Sequence, residues 1–346
     1  MKKLVDGLVG MSRLRDRDAL DQALVQLVGQ HAEEGVEAIQ LVRMVGENED
    51  RRCLTLATQG LKAPAVAQSQ VWEDWTLLPH LVDDALRLQA ATTNTLVVSK
   101  SQPWRVVFPI EQTLGEVGLL LDVSANRPFS ADLLDALGSA VQNYRNLLGL
   151  LDYGEKDALT ELLNRKSFDG AFFKAAQIRH AQPELVQPER RASGDAPGHW
   201  LAVLDIDHFK RVNDNFGHLI GDEVLLLLAR LMRGNFRFHD QLYRFGGEEF
   251  VILMRCPSAA DALIALERLR HRVEGHAFPQ VGHITVSVGF ASLQGNDTPG
   301  AAFGRADQAV YYAKEHGRNQ CCSYDQLVQT GALAQTKTED MDVDLF

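Results

Sequence analysis

Hydrophobic and polar positions follow two different patterns along the chain, which indicates two domains. In the first third, a helical period over residues 12–29 and a second predicted helix near 79–89 alternate with apolar or period-two runs at 36–45, 53–58, 105–110 and 117–121. Period two is typical of half-buried strands, whereas apolar residues recurring every three to four positions are typical of amphipathic helices. The order helix, hairpin, helix, hairpin predicts an α+β domain over residues 1–129, with an antiparallel sheet and flanking helices.

From residue 157 onward, strands and helices alternate more regularly. Expected strands lie at 200–204, 242–245, 250–254 and 284–288, and expected helices at 223–232, 259–273 and 302–315. The polar segment 180–199 contains Pro and Gly and is predicted to be a surface loop. The acidic tail, residues 330–346, is predicted to be disordered because it holds too few apolar residues to pack.

A long helix is predicted between the two domains, beginning near Ser130 as its N-cap. Its apolar residues are separated by three and four positions in turn: Leu134, Leu137, Val141, Tyr144, Leu148 and Leu151. This spacing is that of a coiled-coil seam, but a helix packed on its own domain shows the same spacing. Because the helix lies between domains, we favour a parallel coiled coil over residues 130–156 that joins two chains.

Composition and charge narrow the choice of partners and compartment. A length of 346 residues is typical of two domains, and a net charge of −11 disfavours nucleic acid polymers and anionic membranes. No run of 18 apolar residues occurs, and Asp6 interrupts the apolar N-terminus, so neither membrane insertion nor a secretory signal is expected. The chain has four cysteines, Cys53, Cys256, Cys321 and Cys322, and none of them shows C-x-x-C spacing. This argues against a zinc site and a disulfide framework, and it favours the cytoplasm.

Candidate chemistry centres on carboxylates at predicted strand ends. Asp205 ends an apolar strand and is followed by Ile206 and Asp207, while Glu248 and Glu249 occupy the turn of a separate hairpin. If the two strands are neighbours, these carboxylates converge and require a cation to offset their repulsion. Mg²⁺ prefers such oxygen ligands and stabilises phosphoryl transfer. The alternative is a set of separate, solvated turn carboxylates.

Taken together, five motifs resemble those of GGDEF-type diguanylate cyclase domains. In family order they are Asp157–Arg165 as the entry motif, Asp205–Lys210, Asn213–His218 with Gly221 and Asp222, the signature hairpin Arg244–Phe250, and Lys314 with Arg318. The resemblance implies a ferredoxin-like, palm-type fold over residues 157–329, with a central, mostly antiparallel sheet flanked by helices. It also makes separate, solvated carboxylates an improbable interpretation.

The resemblance further implies the reaction and the residues that carry it. Two GTP molecules are condensed into cyclic di-GMP with release of two pyrophosphates, each domain binding one GTP, so that a homodimer is required. Asp205, the Ile206 carbonyl and Glu248 are implied to hold Mg²⁺, with Mn²⁺ as an alternative, and Glu249 supports the cluster. The catalytic residues are Glu248, Glu249 and Lys210, and the substrate-binding residues are Asn213, His218, Asp222, Lys314 and Arg318. In this family Asn and Asp bind the guanine edge, whereas the basic residues neutralise the triphosphate.

An R-x-x-D motif precedes the signature hairpin. Arg237 and Asp240 resemble the inhibitory product site of the family, with Arg268 on the next predicted helix as their partner. Guanidinium groups suit this role because they bind phosphate in a bidentate manner. The resemblance therefore implies inhibition by cyclic di-GMP, and the alternative is an ordinary surface ion pair.

The N-terminal domain resembles GAF sensor domains, with PAS-like domains as the nearest competitor. The cues are the strand at 105–110, the hairpin entry 115–118 and the segment 128–130 before the long helix. No ligand is indicated for this domain, since Trp72, Trp75 and Cys53 are all compatible with simple packing. Two further functions compete with an active cyclase: a GGDEF domain that binds nucleotide without turnover, and a polymerase-like enzyme on the same palm fold.

Overall fold

A computed structural model describes residues 2–31, 35–46, 50–60, 66–67, 78–113, 116–181, 198–237 and 240–334. Predictions that concern Gly115, Trp72, Trp75, the loop at 182–197 and the tail at 335–346 lie outside the described residues. The chain divides into two compact units, residues 1–154 and 155–346. None of the helices in the described ranges is long and apolar enough to cross a membrane.

The N-terminal unit is an antiparallel sheet with helices, which agrees with the predicted α+β class. Its helices are α1 (Lys2–Met11), α2 (Arg17–His31), α3 (Ala85–Thr93) and α4 (Ala131–Glu155), with a short 3-10 helix at Leu81–Asp83. Its strands are β1 (Val36–Val45), β2 (Arg52–Gly60), β3 (Val66–Ala67), β4 (Val97–Val98), β5 (Trp104–Thr113) and β6 (Glu116–Ala125). They form one sheet in the order β3-β2-β1-β6-β5-β4, and every neighbouring pair is antiparallel.

The first helical segment differs from the prediction of one helix over residues 12–29. The chain forms α1, a turn over 12–16 and then α2. The side chain of Asp16 accepts a hydrogen bond from the Ala19 backbone N–H at 3.0 Å and so begins α2. Helix α2 therefore begins at Arg17 and not at residue 12, and α1 lies before the predicted range.

Helix α4 begins as predicted, with the Ser130 hydroxyl accepting a hydrogen bond from the Leu133 N–H at 3.2 Å. Four of the six predicted seam residues, however, are buried within the N-terminal unit of a single chain: Leu137, Val141, Tyr144 and Leu148. Helix α2 contributes to this packing, because Asp21 contacts Tyr144 and Arg17 pairs with Asp152. These four positions pack on their own domain, which corrects the prediction that they form a seam between two chains.

The buried pair on α2 and α4 should make the stability of the N-terminal unit depend on pH. Asp21 is 5% exposed and accepts a hydrogen bond of 2.5 Å from the Tyr144 hydroxyl. Burial raises the pKa of Asp21 to about 6, although the Tyr144 hydrogen bond and the Arg43 charge lower it. Because this pKa lies above that of the unfolded chain, folding favours the protonated form, and stability is lost as pH rises through about 6.

Asp21→Asn keeps an acceptor for Tyr144 and removes the ionisation. It is expected to raise the free energy of unfolding by about 3 kcal/mol near neutral pH and to have little effect near about pH 4. Urea titrations of both proteins at these two pH values measure the difference. An equal pH dependence in the variant would contradict the assignment to Asp21.

The C-terminal unit is built on a second sheet of six strands. Its helices are α5 (Arg165–Ala181), α6 (Phe209–Phe216), α7 (His218–Arg233), α8 (Ala259–Gly275), α9 (Pro299–Glu315) and α10 (Tyr324–Gln329). Its strands are β7 (Leu163–Asn164), β8 (Gly198–Ile206), β9 (Gln241–Gly246), β10 (Glu249–Cys256), β11 (Val286–Ser292) and β12 (Cys321–Ser323). The order is β12-β11-β8-β10-β9-β7, in which the four central strands are antiparallel and both edge pairs are parallel.

Strand β8 lies at the centre of this sheet and is buried on both faces. Alternate residues Leu204 and Val203 belong to separate apolar cores, which contain residues of α7 and α8 on one face and of α5 and α9 on the other. A strand covered on both sides reads as a continuous apolar run, which is how it was predicted. By the same alternation, Asp205 at the end of β8 lies on the face that α9 covers.

Candidate active site

Two of the predicted carboxylates meet where the central strands end. In the register of β8 and β10, Asp205 lies directly opposite Glu249, and Ser287 of β11 flanks Asp205 on its other side. Asp205 is 7% exposed, and its Oδ1 atom lies 2.9 Å from the Nζ atom of Lys314 on α9. Residues far apart in sequence thus form one charged cluster where the central strands of the sheet end.

The electrostatics of this cluster are those of acids held close together. Burial raises the pKa of Asp205, an effect that the Lys314 ammonium opposes. Desolvation raises the pKa of Glu248 and of Glu249, and in both cases the Asp205 charge raises it further. Asp307 on α9 also raises the pKa of Glu249 and of Asp205. Four carboxylates and one lysine therefore share this end of the sheet, and a further cation would relieve their repulsion.

The signature hairpin is held by Arg244. Gly246 and Gly247 have φ values of +146° and +50°, which glycine adopts without strain. The Arg244 guanidinium donates to the Gly247 carbonyl through Nε at 3.2 Å and Nη2 at 2.9 Å, and to the Asp157 carboxylate at 3.0 Å. Burial alone would raise the pKa of Asp157, but hydrogen bonds from Thr160 and Arg244 lower it overall. The entry motif thereby fixes the turn that carries Glu248.

The donor set suits a hard divalent cation. Asp205, Glu248 and the Ile206 carbonyl offer only oxygen atoms, and Mg²⁺ usually completes such sets with water and substrate phosphates. In the described ranges, no group of three or more His, Cys, Asp or Glu side chains is arranged to hold a metal. The predicted set does not require such a group, because it contains two carboxylates and one backbone carbonyl. The chemistry of these oxygen ligands is therefore suited to a magnesium ion.

The predicted guanine-binding residues lie where α6 is followed by α7. Gly217 separates the two helices with a φ of +83°, and the chain turns back there. A Cβ atom on Gly221 would lie 2.0 Å from the Asn213 Oδ1 atom, so the glycine gives the Asn213 side chain its place against α7. Asp222 and His218 are exposed in the first turns of α7. Asn213 therefore lies against α7 at Gly221, the residue before Asp222.

Two of the predicted basic residues are solvent-exposed side chains. Lys210 is exposed on the first turn of α6, and Arg318 is exposed in the turn that follows α9. Lys314 alone among the three predicted phosphate ligands makes an ion pair with a predicted metal ligand. The structure thus places one basic residue inside the cluster and two at the surface.

The R-x-x-D residues form a compact turn. The Arg237 N–H donates to the Asp240 carboxylate at 2.9 Å, and the Asp240 N–H donates to the Arg237 carbonyl at 3.0 Å; Phe238 and His239 lie outside the described residues. Burial raises the pKa of Asp240 to about 6, and the charges of Arg237 and Arg268 both lower it. Arg268 itself donates to the Asn235 side chain and carbonyl at 3.0 and 2.6 Å. Arg237 and Arg268 therefore both lie close enough to Asp240 for their charges to affect its pKa.

Residues that sequence reasoning missed include Asp307 and Asn319. Asp307 precedes Lys314 by seven positions, which is two helical turns, so both lie on one face of α9. That periodicity was the available signal. No comparable signal marks Asn319, whose contacts depend entirely on the tertiary structure.

The chain is similar to known families and proteins. The family model for "Diguanylate cyclase, GGDEF domain" matches residues 155–320. Diguanylate cyclase DgcP of Pseudomonas aeruginosa is 39% identical over 54% of this chain and 27% of its own length. Response regulator PleD of Caulobacter vibrioides is 40% identical over 50% of this chain and 37% of its own length. The chain thus spans well under two thirds of these relatives.

The chain is also similar to a solved structure. The active GGEEF domain of a diguanylate cyclase from Vibrio cholerae is 38% identical, covering 47% of this chain and 97% of that one, with a TM-score of 0.39.

Proposed function

We propose that residues 155–320 form a GGDEF diguanylate cyclase domain, which the family match supports, and that the protein condenses two GTP molecules into cyclic di-GMP and two pyrophosphates. The observation that carries the proposal is the pairing of Asp205 with Glu249 across β8 and β10, beside Lys314. This arrangement offers oxygen ligands and a positive charge at one point. Phosphoryl transfer between nucleotides needs both.

Each group of residues has a separate task in the proposed reaction. Asn213 and Asp222 bind the guanine edge, and a site that pairs with guanine donors discriminates against adenine, which lacks them. Asp205, Glu248 and the Ile206 carbonyl hold Mg²⁺, which supplies charge neutralisation at the phosphate oxygens when bound. Lys210, Lys314 and Arg318, together with these ligands, set the position of the triphosphate.

Glu248 accepts the proton of the attacking 3′-hydroxyl in the proposed reaction. Glu248 lies in the turn between β9 and β10, beside Asp205, where its carboxylate can act as a general base. Glu249 lies directly opposite Asp205 and supports the same cluster. The oxygen freed of its proton then attacks the α-phosphorus of the second GTP, and pyrophosphate leaves.

The reaction requires two copies of the domain, because each binds one GTP. We therefore propose a homodimer in which two active sites face one another, with Arg237, Asp240 and Arg268 binding cyclic di-GMP as an inhibitor. Residues 1–129 are proposed to be a GAF-like regulatory domain, for which the six-stranded antiparallel sheet and its helices give support.

The proposal is tested with the purified full chain, freed of bound nucleotide by a cyclic di-GMP phosphodiesterase that is then removed. With GTP and Mg²⁺ it is expected to release pyrophosphate and to form cyclic di-GMP, identified by mass, whereas ATP is expected to give neither. A dimeric, nucleotide-free sample that binds GTP without releasing pyrophosphate would contradict the proposal. That outcome would support the alternative of a binding domain.

A further inference from the structure

Three consecutive residues after α9 have positive φ values. These are +111° at Gly317, +64° at Arg318 and +45° at Asn319. Glycine adopts this left-handed region freely, whereas side-chain-bearing residues do so at a cost and persist there only where other contacts hold them. Arg318 therefore has a backbone conformation that the surrounding structure must impose.

The Arg318 N–H donates to the Ala313 carbonyl at 2.9 Å, and Asn319 adds further contacts that hold the turn. The Asn319 backbone N–H donates to the Asp207 Oδ2 atom at 3.0 Å. Its side-chain Oδ1 accepts from Arg270 Nη1 at 2.9 Å, and its Nδ2 donates to Glu274 Oε1 at 2.7 Å. One asparagine thus joins the turn to the end of β8 and to helix α8.

The partners of Asn319 are themselves fixed. Asp207, 6% exposed, also accepts from the hydroxyls of Thr285 at 2.6 Å and Ser287 at 2.7 Å. Arg270, 8% exposed, donates to Glu267 at 2.8 Å and to Glu274 at 3.1 Å. Two of the three partners of Asn319, Asp207 and Arg270, are therefore buried and hydrogen-bonded to other side chains, whereas Glu274 is exposed.

We propose that Asn319, held by Arg270 and Asp207, is a positioning residue that fixes Arg318 for contact with the triphosphate of the substrate. The proposal rests on the proposed function, in which Arg318 binds phosphate. Asparagine suits the position because it tolerates positive φ better than most residues, and its amide both donates and accepts. A backbone fixed in advance lowers the entropy lost when the exposed Arg318 side chain engages its ligand.

The test measures binding of 3′-deoxy-GTP with Mg²⁺ to the full chain by calorimetry, because this analogue lacks the attacking hydroxyl. Arg318→Ala and Asn319→Ala are each expected to weaken binding about tenfold, since each removes the same charge-assisted contact. The double variant Arg318→Ala, Asn319→Ala is expected to bind no more weakly than Arg318→Ala alone, because Asn319 acts through Arg318. With GTP, KM is expected to rise about tenfold while kcat changes less than about twofold.

Two further variants separate positioning from folding. Asn319→Gly keeps the freedom to adopt positive φ but loses the side-chain contacts, so it is expected to weaken binding while leaving the thermal midpoint close to that of the parent protein. Asn319→Asp places a carboxylate beside Glu274, and adding Glu274→Gln restores a donor there. That pair is expected to recover binding to within about threefold of the parent protein.

The outcomes are distinguishable. Additive losses in the double variant, or unchanged binding in Asn319→Gly, would overturn the positioning role. Unchanged binding in Arg318→Ala would instead remove the phosphate role of Arg318, and the proposed function would lose that residue. Loss of binding that follows a lowered thermal midpoint in every Asn319 variant would mean a structural role only, and would equally overturn the inference.

Discussion

Glu248→Gln is expected to lower the rate of cyclic di-GMP formation about a thousandfold, the scale of losing a charged group that acts on the reacting phosphate. The substitution keeps the shape of the side chain but removes both the negative charge for Mg²⁺ and the acceptor for the 3′-hydroxyl proton. Initial rates of pyrophosphate release, with saturating GTP and Mg²⁺, measure the change.

Asp169→Asn serves as the matched control for Glu248→Gln. Asp169 is an exposed carboxylate on α5, and it has no part in the proposed site. The Asp169→Asn protein is expected to keep the parent rate. The control thus separates the effect of losing any surface carboxylate from the effect of losing the Glu248 carboxylate. Thermal unfolding checks that the Glu248→Gln protein is folded. If the folded variant retains more than about a tenth of the parent rate, Glu248 is not a catalytic residue.

Arg237→Ala is expected to raise the inhibition constant for cyclic di-GMP about 10- to 100-fold, the loss typical of a charge-assisted contact to phosphate. The turn itself should persist, because Arg237 contributes its backbone N–H and carbonyl to the contacts with Asp240. Rates measured against added product, each relative to the same variant without product, give the constant.

Arg272→Ala is the matched control for this prediction. Arg272 lies on the same helix as Arg268, and its guanidinium donates to the Gly234 carbonyl at 2.6 Å, close to the R-x-x-D turn but outside the proposed site. Its inhibition constant is expected to match that of the parent protein. If both variants change the constant equally, the effect is one of general charge and the inhibitory-site assignment fails.

Much of the C-terminal fold could be predicted because its signals are local. The continuous apolar run before Asp205 predicted a buried strand. Strand β8 is indeed buried, with helices packed on both of its faces. The edge strands β7 and β12 were not predicted, since two or three residues are too few to show a period. Strand β11 begins at Val286 and not at Ile284, because element ends carry weaker signals than element centres.

The heptad in α4 shows the limit of a periodic pattern. A spacing of three and four residues states that one face of a helix is covered, but not by what. The structure buries Leu137 and Tyr144 within their own unit, whereas Leu150 and Tyr153 are 70% and 90% exposed. Packing on the same domain and pairing with a second chain require the same apolar positions. Only the tertiary structure could decide between these two alternatives.

The signature hairpin, the carboxylates and the basic pair were determined by the sequence itself, because such chemistry needs particular residue types at short, fixed spacings. The approach of Asp307 to Glu249, the clasp of Arg244 between Gly247 and Asp157, and the anchoring of Asn319 by Arg270 were decided by the tertiary structure alone. The physical reason is range: hydropathy and motif spacing record local requirements, whereas charges and hydrogen bonds act between residues that only folding brings within a few ångströms.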